Sequence, residues 1–147
     1  MAVTRSASAT WRGNLFDGNG SVSSVTSEQL RDLPISWNAR TTDPEGLTGP
    51  EELLAAAHAS CFSMALSNTL AKAGFTAEQL EVTATVSADK RDAGWTVLSS
   101  HLSVHGRVPG ADEAAFQSAA ETAKDGCPIS RALKGNVELS VDATLDS

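Results

Sequence analysis

The segment between Pro50 and Phe75 constrains the fold of this chain more than any other part of the sequence. It is apolar over most of its length, and Pro50 suits the first position of a helix. Two glutamates follow in the first turn, where the helix dipole favours anions, and Gly74 provides a stop. These signals predict a helix of about six turns. Because it is apolar almost all round, we expect it to be central and covered on several sides.

Alternating patterns on both sides of this helix predict strands, and two further segments have helical spacing. The predicted strands are 7–11, 21–27, a short piece near 35–37, 80–89, 95–108 and 137–145. The further predicted helices are 112–124 and a short one over 129–133, opened by Pro128. Strands with one polar face favour antiparallel pairing. The expected fold class is therefore α+β, with mainly antiparallel sheets around a long central helix in a single domain, residues 1–147.

Charge and composition argue against several classes of protein. The net charge of −7 and the pI of about 4.8 oppose binding to nucleic acid or to an anionic membrane. Polar residues interrupt the longest apolar run, which therefore predicts a buried helix rather than a membrane span. The chain has 2 cysteines and no secretory signal pattern, so we expect its thiols to be in a reducing cytoplasm.

The two cysteines have very different settings. Cys61 lies deep inside the long apolar helix, whereas Cys127 lies in a turn-like segment just before Pro128. Such a pair can be two core residues, half of a metal site, or a peroxide-reducing thiol with its resolving partner. Reactivity requires the thiolate, so a reactive cysteine needs surroundings that lower its pKa.

Local physical chemistry favours Cys127 as the reactive thiol. Cys61 is about ten residues into its helix, roughly 15 Å from the N-terminus, where the dipole has no effect. Burial alone would raise its pKa, so an active Cys61 needs a cation from elsewhere, and Arg40 is the candidate. Cys127 stands at the expected N-cap of the helix that Pro128 opens, where free N–H groups favour a thiolate.

His58 lies three residues before Cys61 and therefore shares its helix face. The pair could be a base beside a thiol, or two ligands of a zinc site that Cys127 and Glu51 would complete. A lone His-x-x-Cys pattern is more often simple packing, and free cysteines often only fill space. A non-enzymatic metal- or ligand-binding dimer is the alternative to an enzyme.

Several motifs together resemble the OsmC/Ohr family of thiol peroxidases. Residues 49–53 (Gly-Pro-Glu-Glu-Leu) and 56–66 (Ala-Ala-His-Ala-Ser-Cys-Phe-Ser-Met-Ala-Leu) are similar to the signature of its central helix. Residues 126–130 (Gly-Cys-Pro-Ile-Ser) are similar to its second cysteine motif, 38–40 to the segment with its catalytic arginine, and 90–95 to its hairpin. The resemblance covers essentially the whole chain. The residues around Cys127, with His58, are closer to the osmotically inducible OsmC branch than to the organic-hydroperoxide-resistance branch.

The resemblance implies an OsmC-like fold, an intertwined homodimer and a cysteine-based peroxidase. By matched position, Cys61 becomes the peroxidatic thiol and Cys127 the resolving thiol, which reverses the local ranking. Arg40 takes the role of the guanidinium that stabilises the thiolate and orients the peroxide, and Glu51 that of the carboxylate holding it. No bound cofactor is implied, and an external dithiol protein of the lipoyl type is expected to reduce the Cys61–Cys127 disulfide. Apolar side chains expected near the site would favour organic hydroperoxides over hydrogen peroxide; they are Leu53, Leu54, Phe62 and Met64.

Overall fold

The computed structural model describes residues 1–42 and 44–146, and the chain divides into two compact units, Met1–Leu53 and Leu54–Ser147. The single domain expected over residues 1–147 stays a prediction. The strands are β1 (Ala7–Arg12), β2 (Asn19–Ser24), β3 (Leu33–Ile35), β4 (Gln79–Arg91), β5 (Gly94–Arg107) and β6 (Glu138–Leu145). The helices are α1 (Trp37–Thr41), α2 (Pro50–Lys72), α3 (Glu113–Gly126) and α4 (Pro128–Leu133).

The first unit contains an antiparallel sheet in the order β1-β2-β3, followed by the short helix α1. The strand expected near residues 35–37 ends at Ile35, and Trp37 already begins α1. The cause is Ser36, whose hydroxyl accepts a hydrogen bond of 3.0 Å from the Ala39 N–H. Serine is a strong N-cap residue, so it starts a helix where apolar neighbours indicate a strand. This unpredicted helix carries Arg40.

Helix α2 begins at Pro50 and ends at Lys72, as predicted. Its end is closed by Gly74, which has a φ of 89°, and by a 2.9 Å hydrogen bond from the Phe75 N–H to the Leu70 carbonyl. Its buried residues recur every fourth position and form one stripe: His58, Phe62, Leu66 and Leu70. We expected α2 to be covered on several sides, but within this chain only one of its faces is buried. Met64, for example, is 67% exposed.

Among the described residues, α2 is the one helix long and apolar enough to cross a membrane by length and composition alone. Its buried stripe nevertheless forms part of the hydrophobic core of the second unit, together with side chains from β5 and α3. This packing agrees with the expectation of a core helix.

The second unit contains a sheet in the order β4-β5-β6. Strands β4 and β5 form the predicted hairpin, and Gly94 follows its two-residue turn with a φ of 113°. Strand β6 pairs with β5 in parallel, which requires the long crossover that α3 and α4 provide. The predicted α+β class with mainly antiparallel sheets is confirmed, with this one parallel pair among the named strands.

Helix α3 places the second cysteine. The helix starts at the Asp112 N-cap, whose carboxylate accepts a 2.7 Å hydrogen bond from the Ala115 N–H, and its alanine-rich face is buried. Phe116 packs closely over Gly106 of β5, where a Cβ atom would collide with the ring. The helix ends at Gly126, and α4 starts at Pro128, so Cys127 is the single residue between the two helices.

Candidate functional site

The second unit brings Cys61 and Cys127 together. Both thiols are free, Cys127 belongs to the hydrophobic core, and Cys61 is partly exposed and packs against that core. Burial raises the pKa of the Cys61 thiol, and hydrogen bonding with the Cys127 side chain raises it further. A hydrogen bond from the Ile129 backbone acts in the opposite direction and lowers this pKa. The site thus holds two adjacent thiols, and the surroundings of Cys61 disfavour its thiolate form.

Cys127 joins α3 to α4 through its backbone. Its N–H donates to the Ala123 carbonyl at 2.9 Å, and its carbonyl accepts from the Arg131 N–H at 2.9 Å. The thiol itself makes no capping hydrogen bond with α4, and Cys127 is 0% exposed. Cys127 occupies the predicted N-cap position of α4, but its side chain packs into the core instead of capping the helix. Cys61 is the more accessible of the two thiols.

A second candidate centre lies in the first unit, where Arg40 and Glu51 form an ion pair. The Nε and Nη2 atoms of Arg40 donate to the same Glu51 oxygen, Oε1, at 2.9 and 2.8 Å. The side chains are 28% and 16% exposed, so the pair is only partly screened by water. The Arg40 guanidinium carbon also lies 5.8 Å from the centre of the Trp37 ring, within the range of a cation–π contact. The predicted pairing of Arg40 with Glu51 is present.

An apolar pocket of about 260 Å³ lies beside Arg40 in the same unit. Its lining includes Trp11, Leu15, Ile35, Trp37, Arg40 and Pro50. Sequence reasoning missed this pocket, since its walls come from β1, β3 and α1, which are far apart in the chain. Of the apolar residues expected near the site, Phe62 packs in the core of the second unit and is fully buried.

His58 is fully buried and both of its ring nitrogens are engaged by serine hydroxyls. Nδ1 lies 2.7 Å from Ser100 Oγ on β5, and Nε2 lies 2.8 Å from Ser130 Oγ on α4. Burial lowers the pKa of His58, which favours the neutral ring, with one nitrogen donating and the other accepting. The nitrogens therefore bond to serines rather than acting as a base on Cys61. Ser130 lies in the second cysteine motif, whereas Ser100 had no sequence signal.

The zinc site considered from the sequence does not form in the described part of the chain. Among residues 1–42 and 44–146, no group of three His, Cys, Asp or Glu side chains could hold a metal ion. Glu51, one of the four suggested ligands, bonds to Arg40, and His58 bonds to two serines.

Known proteins are similar to this chain in both sequence and fold. Residues 43–142 match the family model described as OsmC-like protein. Over 139 residues the chain is 42% identical to peroxiredoxin OsmC of Escherichia coli (strain K12), covering 95% of this chain and 96% of that protein. It is 31% identical over 122 residues to organic hydroperoxide resistance protein OhrA of Bacillus subtilis (strain 168), covering 80% and 84%.

Comparison with solved structures also finds a member of this family. The crystal structure of the organic hydroperoxide resistance protein OhrB of Bacillus subtilis matches with a TM-score of 0.74 at 26% identity, covering 95% of this chain and 98% of that one. The OsmC-like fold expected from the motifs is thereby confirmed. On the family model, the identity and the shared fold together, this chain belongs to the OsmC family.

Proposed function

We propose that this protein is a thiol peroxidase that reduces organic hydroperoxides through Cys61 and Cys127. The observation that carries the proposal is the pair of adjacent free thiols, of which one is accessible and the other buried. The names of the relatives support the same activity, since one is a peroxiredoxin and another an organic hydroperoxide resistance protein.

Cys61 is the thiol that reacts with the hydroperoxide, because it is the more accessible one. Its thiolate attacks the distal peroxide oxygen, so an S–O bond forms as the O–O bond breaks. The sulfur loses two electrons and becomes sulfenic acid, and the leaving alkoxide takes a proton to become an alcohol.

Cys127 is the resolving thiol, and its burial beside Cys61 protects it from direct reaction with peroxide. The resulting disulfide requires an external dithiol, for which we propose a lipoyl-type protein and no bound cofactor. The protein works in the cytoplasm, where free thiols stay reduced. Its charge of −7 argues against nucleic acid and anionic membranes as partners.

Arg40 supplies the cation that the reaction needs. Because burial and Cys127 raise the pKa of Cys61, its thiolate requires stabilisation by a positive charge. The Arg40 guanidinium is planar and permanently charged, and it can stabilise both the thiolate and the departing alkoxide. Glu51 holds it in place through the two hydrogen bonds described above.

The apolar pocket beside Arg40 supports the proposal that organic hydroperoxides are preferred over hydrogen peroxide. Its tryptophan and leucine walls would bury the organic group of a substrate and contribute binding free energy, whereas hydrogen peroxide has no such group.

We further propose that the active species is an intertwined homodimer. The exposed apolar side chains support this, since Phe16 is 70% exposed and the outer face of α2 carries exposed Met64. Light scattering at micromolar concentration should report twice the chain mass of 15.2 kDa. A folded monomer under these conditions would contradict the proposal.

Thiol titration tests the activity directly. Free thiols are counted before and after one equivalent of cumene hydroperoxide, and metal content is measured on the same sample. We expect two thiols per chain to be lost without bound metal, as one disulfide forms. A non-enzymatic metal- or ligand-binding dimer would instead keep both thiols, and that result would overturn the proposal.

A further inference from the structure

We infer that His58 is a positioning residue for the disulfide-forming step, acting through the hydrogen-bonded chain Ser100–His58–Ser130. This inference rests on the proposed function, in which Cys127 resolves the oxidised Cys61. In this role the hydrogen bonds among Ser100, His58 and Ser130 hold helix α4, and with it Cys127, against α2. The ring touches no reacting atom in this role.

Helix α4 needs such an anchor. It has 6 residues, and a helix of this length is unstable without tertiary contacts. Its one buried residue is Ser130, and all six of its residues are described. The Ser130 hydroxyl lies 2.8 Å from His58 Nε2, so the most enclosed point of α4 is bonded directly to α2.

On the other side of the His58 ring, the hydrogen bond to Ser100 connects the ring to the sheet. His58 Nδ1 lies 2.7 Å from the hydroxyl of Ser100. Ser100 belongs to β5, the central strand, and is paired with Val86 of β4 on one side and Leu139 of β6 on the other. Because both ring nitrogens are bonded, the imidazole plane has a defined orientation, and α4 inherits that orientation through Ser130.

The chemistry at Cys127 depends on the position of α4. Ser130 follows Cys127 by one helical turn, and Ile129 between them hydrogen-bonds Cys61 through its backbone. A disulfide forms only within narrow limits, with Cα atoms about 4.4–6.8 Å apart and a dihedral angle near 90°. A displacement of α4 would therefore move the attacking sulfur out of line.

The step itself consumes no outside oxidant or reductant. The Cys127 sulfur attacks the sulfur of the Cys61 sulfenic acid, so an S–S bond forms as the S–O bond breaks. The hydroxide that leaves combines with the proton of the Cys127 thiol to give water. The reaction of Cys61 with peroxide precedes this step and does not require Cys127. Loosening α4 would also weaken the Ile129 hydrogen bond that lowers the pKa of Cys61, but only disulfide formation requires the placement of Cys127, so that step should slow more than oxidation.

The test compares Ser130→Ala with Ser100→Ala, which removes the matching hydroxyl at the other nitrogen of the same ring. One equivalent of cumene hydroperoxide is mixed rapidly with each protein, sulfenic acid is trapped with dimedone, and disulfide is counted by mass spectrometry. Ser130→Ala should slow disulfide formation about tenfold, as expected for one lost buried hydrogen bond, with Cys61 oxidation changed less than about twofold. Ser100→Ala should slow disulfide formation no more than about threefold, because α4 keeps its bond to His58.

Two further measurements make the outcome decisive. Ser130→Thr keeps the hydroxyl and should restore most of the disulfide rate. Diamide forms the same disulfide without a hydroperoxide, and Ser130→Ala should slow that reaction as well. If the unchanged protein forms a disulfide with diamide but not with cumene hydroperoxide, the proposed function fails and the diamide rates still test this inference. Equal disulfide rates for Ser130→Ala and the unchanged protein, or equal slowing of both steps, would overturn it.

Discussion

The two units of this protein hold their candidate functional groups by different forces. The second unit surrounds its thiols with fully buried side chains such as Phe62 and Phe116. In the described part of the first unit, Gly49 is the one buried residue, and β1 is exposed at every position. Arg40 is positioned there by directed polar contacts to Glu51 and by the Trp37 ring. Close packing therefore fixes the thiols, whereas hydrogen bonds fix the cation, and the two sets should respond differently to mutation.

The largest effect should come from the cysteines of the packed unit. Cys61→Ser should abolish turnover, because no other group supplies the nucleophile in the proposed mechanism. Cys127→Ser should still consume about one equivalent of hydroperoxide and stop at sulfenic or over-oxidised Cys61. Peroxide consumption and the mass of the trapped product measure both. If Cys127→Ser alone lost the first oxidation, the two roles would be exchanged.

Substitution of Arg40 should give the next largest loss of activity. It tests the first unit, in which polar contacts hold the functional group. Arg40→Ala should raise the pKa of Cys61 and reduce its rate of oxidation by about 10²–10³-fold, as for loss of a group that stabilises developing charge. Arg40→Lys should recover little, because the planar fork is lost. The pH dependence of single-turnover oxidation measures both changes, with Arg31→Ala as a surface control in the same unit. An unchanged pH profile for Arg40→Ala would contradict the proposal that Arg40 stabilises the Cys61 thiolate.

Glu51 should matter less, because it acts through Arg40. Glu51→Ala frees the guanidinium from its two hydrogen bonds, so turnover should fall about tenfold through loss of position. The pKa of Cys61 should change little, since removing a carboxylate leaves more positive potential. Glu52→Ala is the matched control, because it removes the same charge at a site where the carboxylate accepts from Thr48 at 3.2 Å. Equal effects of the two variants would contradict a positioning role.

The smallest effect concerns stability against pH in the packed unit. The pKa of His58 is lowered in the folded state by burial, so the unfolded chain binds this proton more readily. The contribution of neutral His58 to the free energy of unfolding should therefore be fully present above about pH 6.5. Below that pH the free energy of unfolding should decrease, by at most about 1.4 kcal/mol per pH unit. His58→Gln should remove this part of the slope, whereas replacing exposed His105 should leave it in place. Urea unfolding at pH 5, 6 and 7 gives the slopes, and equal slopes for His58→Gln and the unchanged protein would contradict this origin.

Local signals predicted those parts of the fold that depend on a few neighbouring residues. The start and end of α2, the turn before Gly94 and the break at Gly126 all follow from proline or glycine. The parallel pairing of β6 and the helix that begins at Trp37 depend on tertiary context and on one serine cap.

The candidate site shows the same division. The cysteine motifs could be read from the sequence, and their resemblance to a known family identified both thiols. The bonds from His58 to Ser100 and Ser130 join residues 42 and 72 positions apart, and no local pattern announces such contacts. Adjacent residues correctly predicted Cys127 as the N-cap of α4, but they could not show the core into which its thiol packs.

The parallel pairing of β6 with β5 also bears on how the chain folds. The β4–β5 hairpin is local, whereas β6 joins β5 only after the intervening α3 and α4 have been laid down. Closing so long a loop is entropically costly, so this strand pairing is expected late in folding. Val141 and Leu145 of β6 pack against the core cluster that contains Cys127. During synthesis, the Cys127 thiol thus gains its full protection from solvent only when β6 has docked.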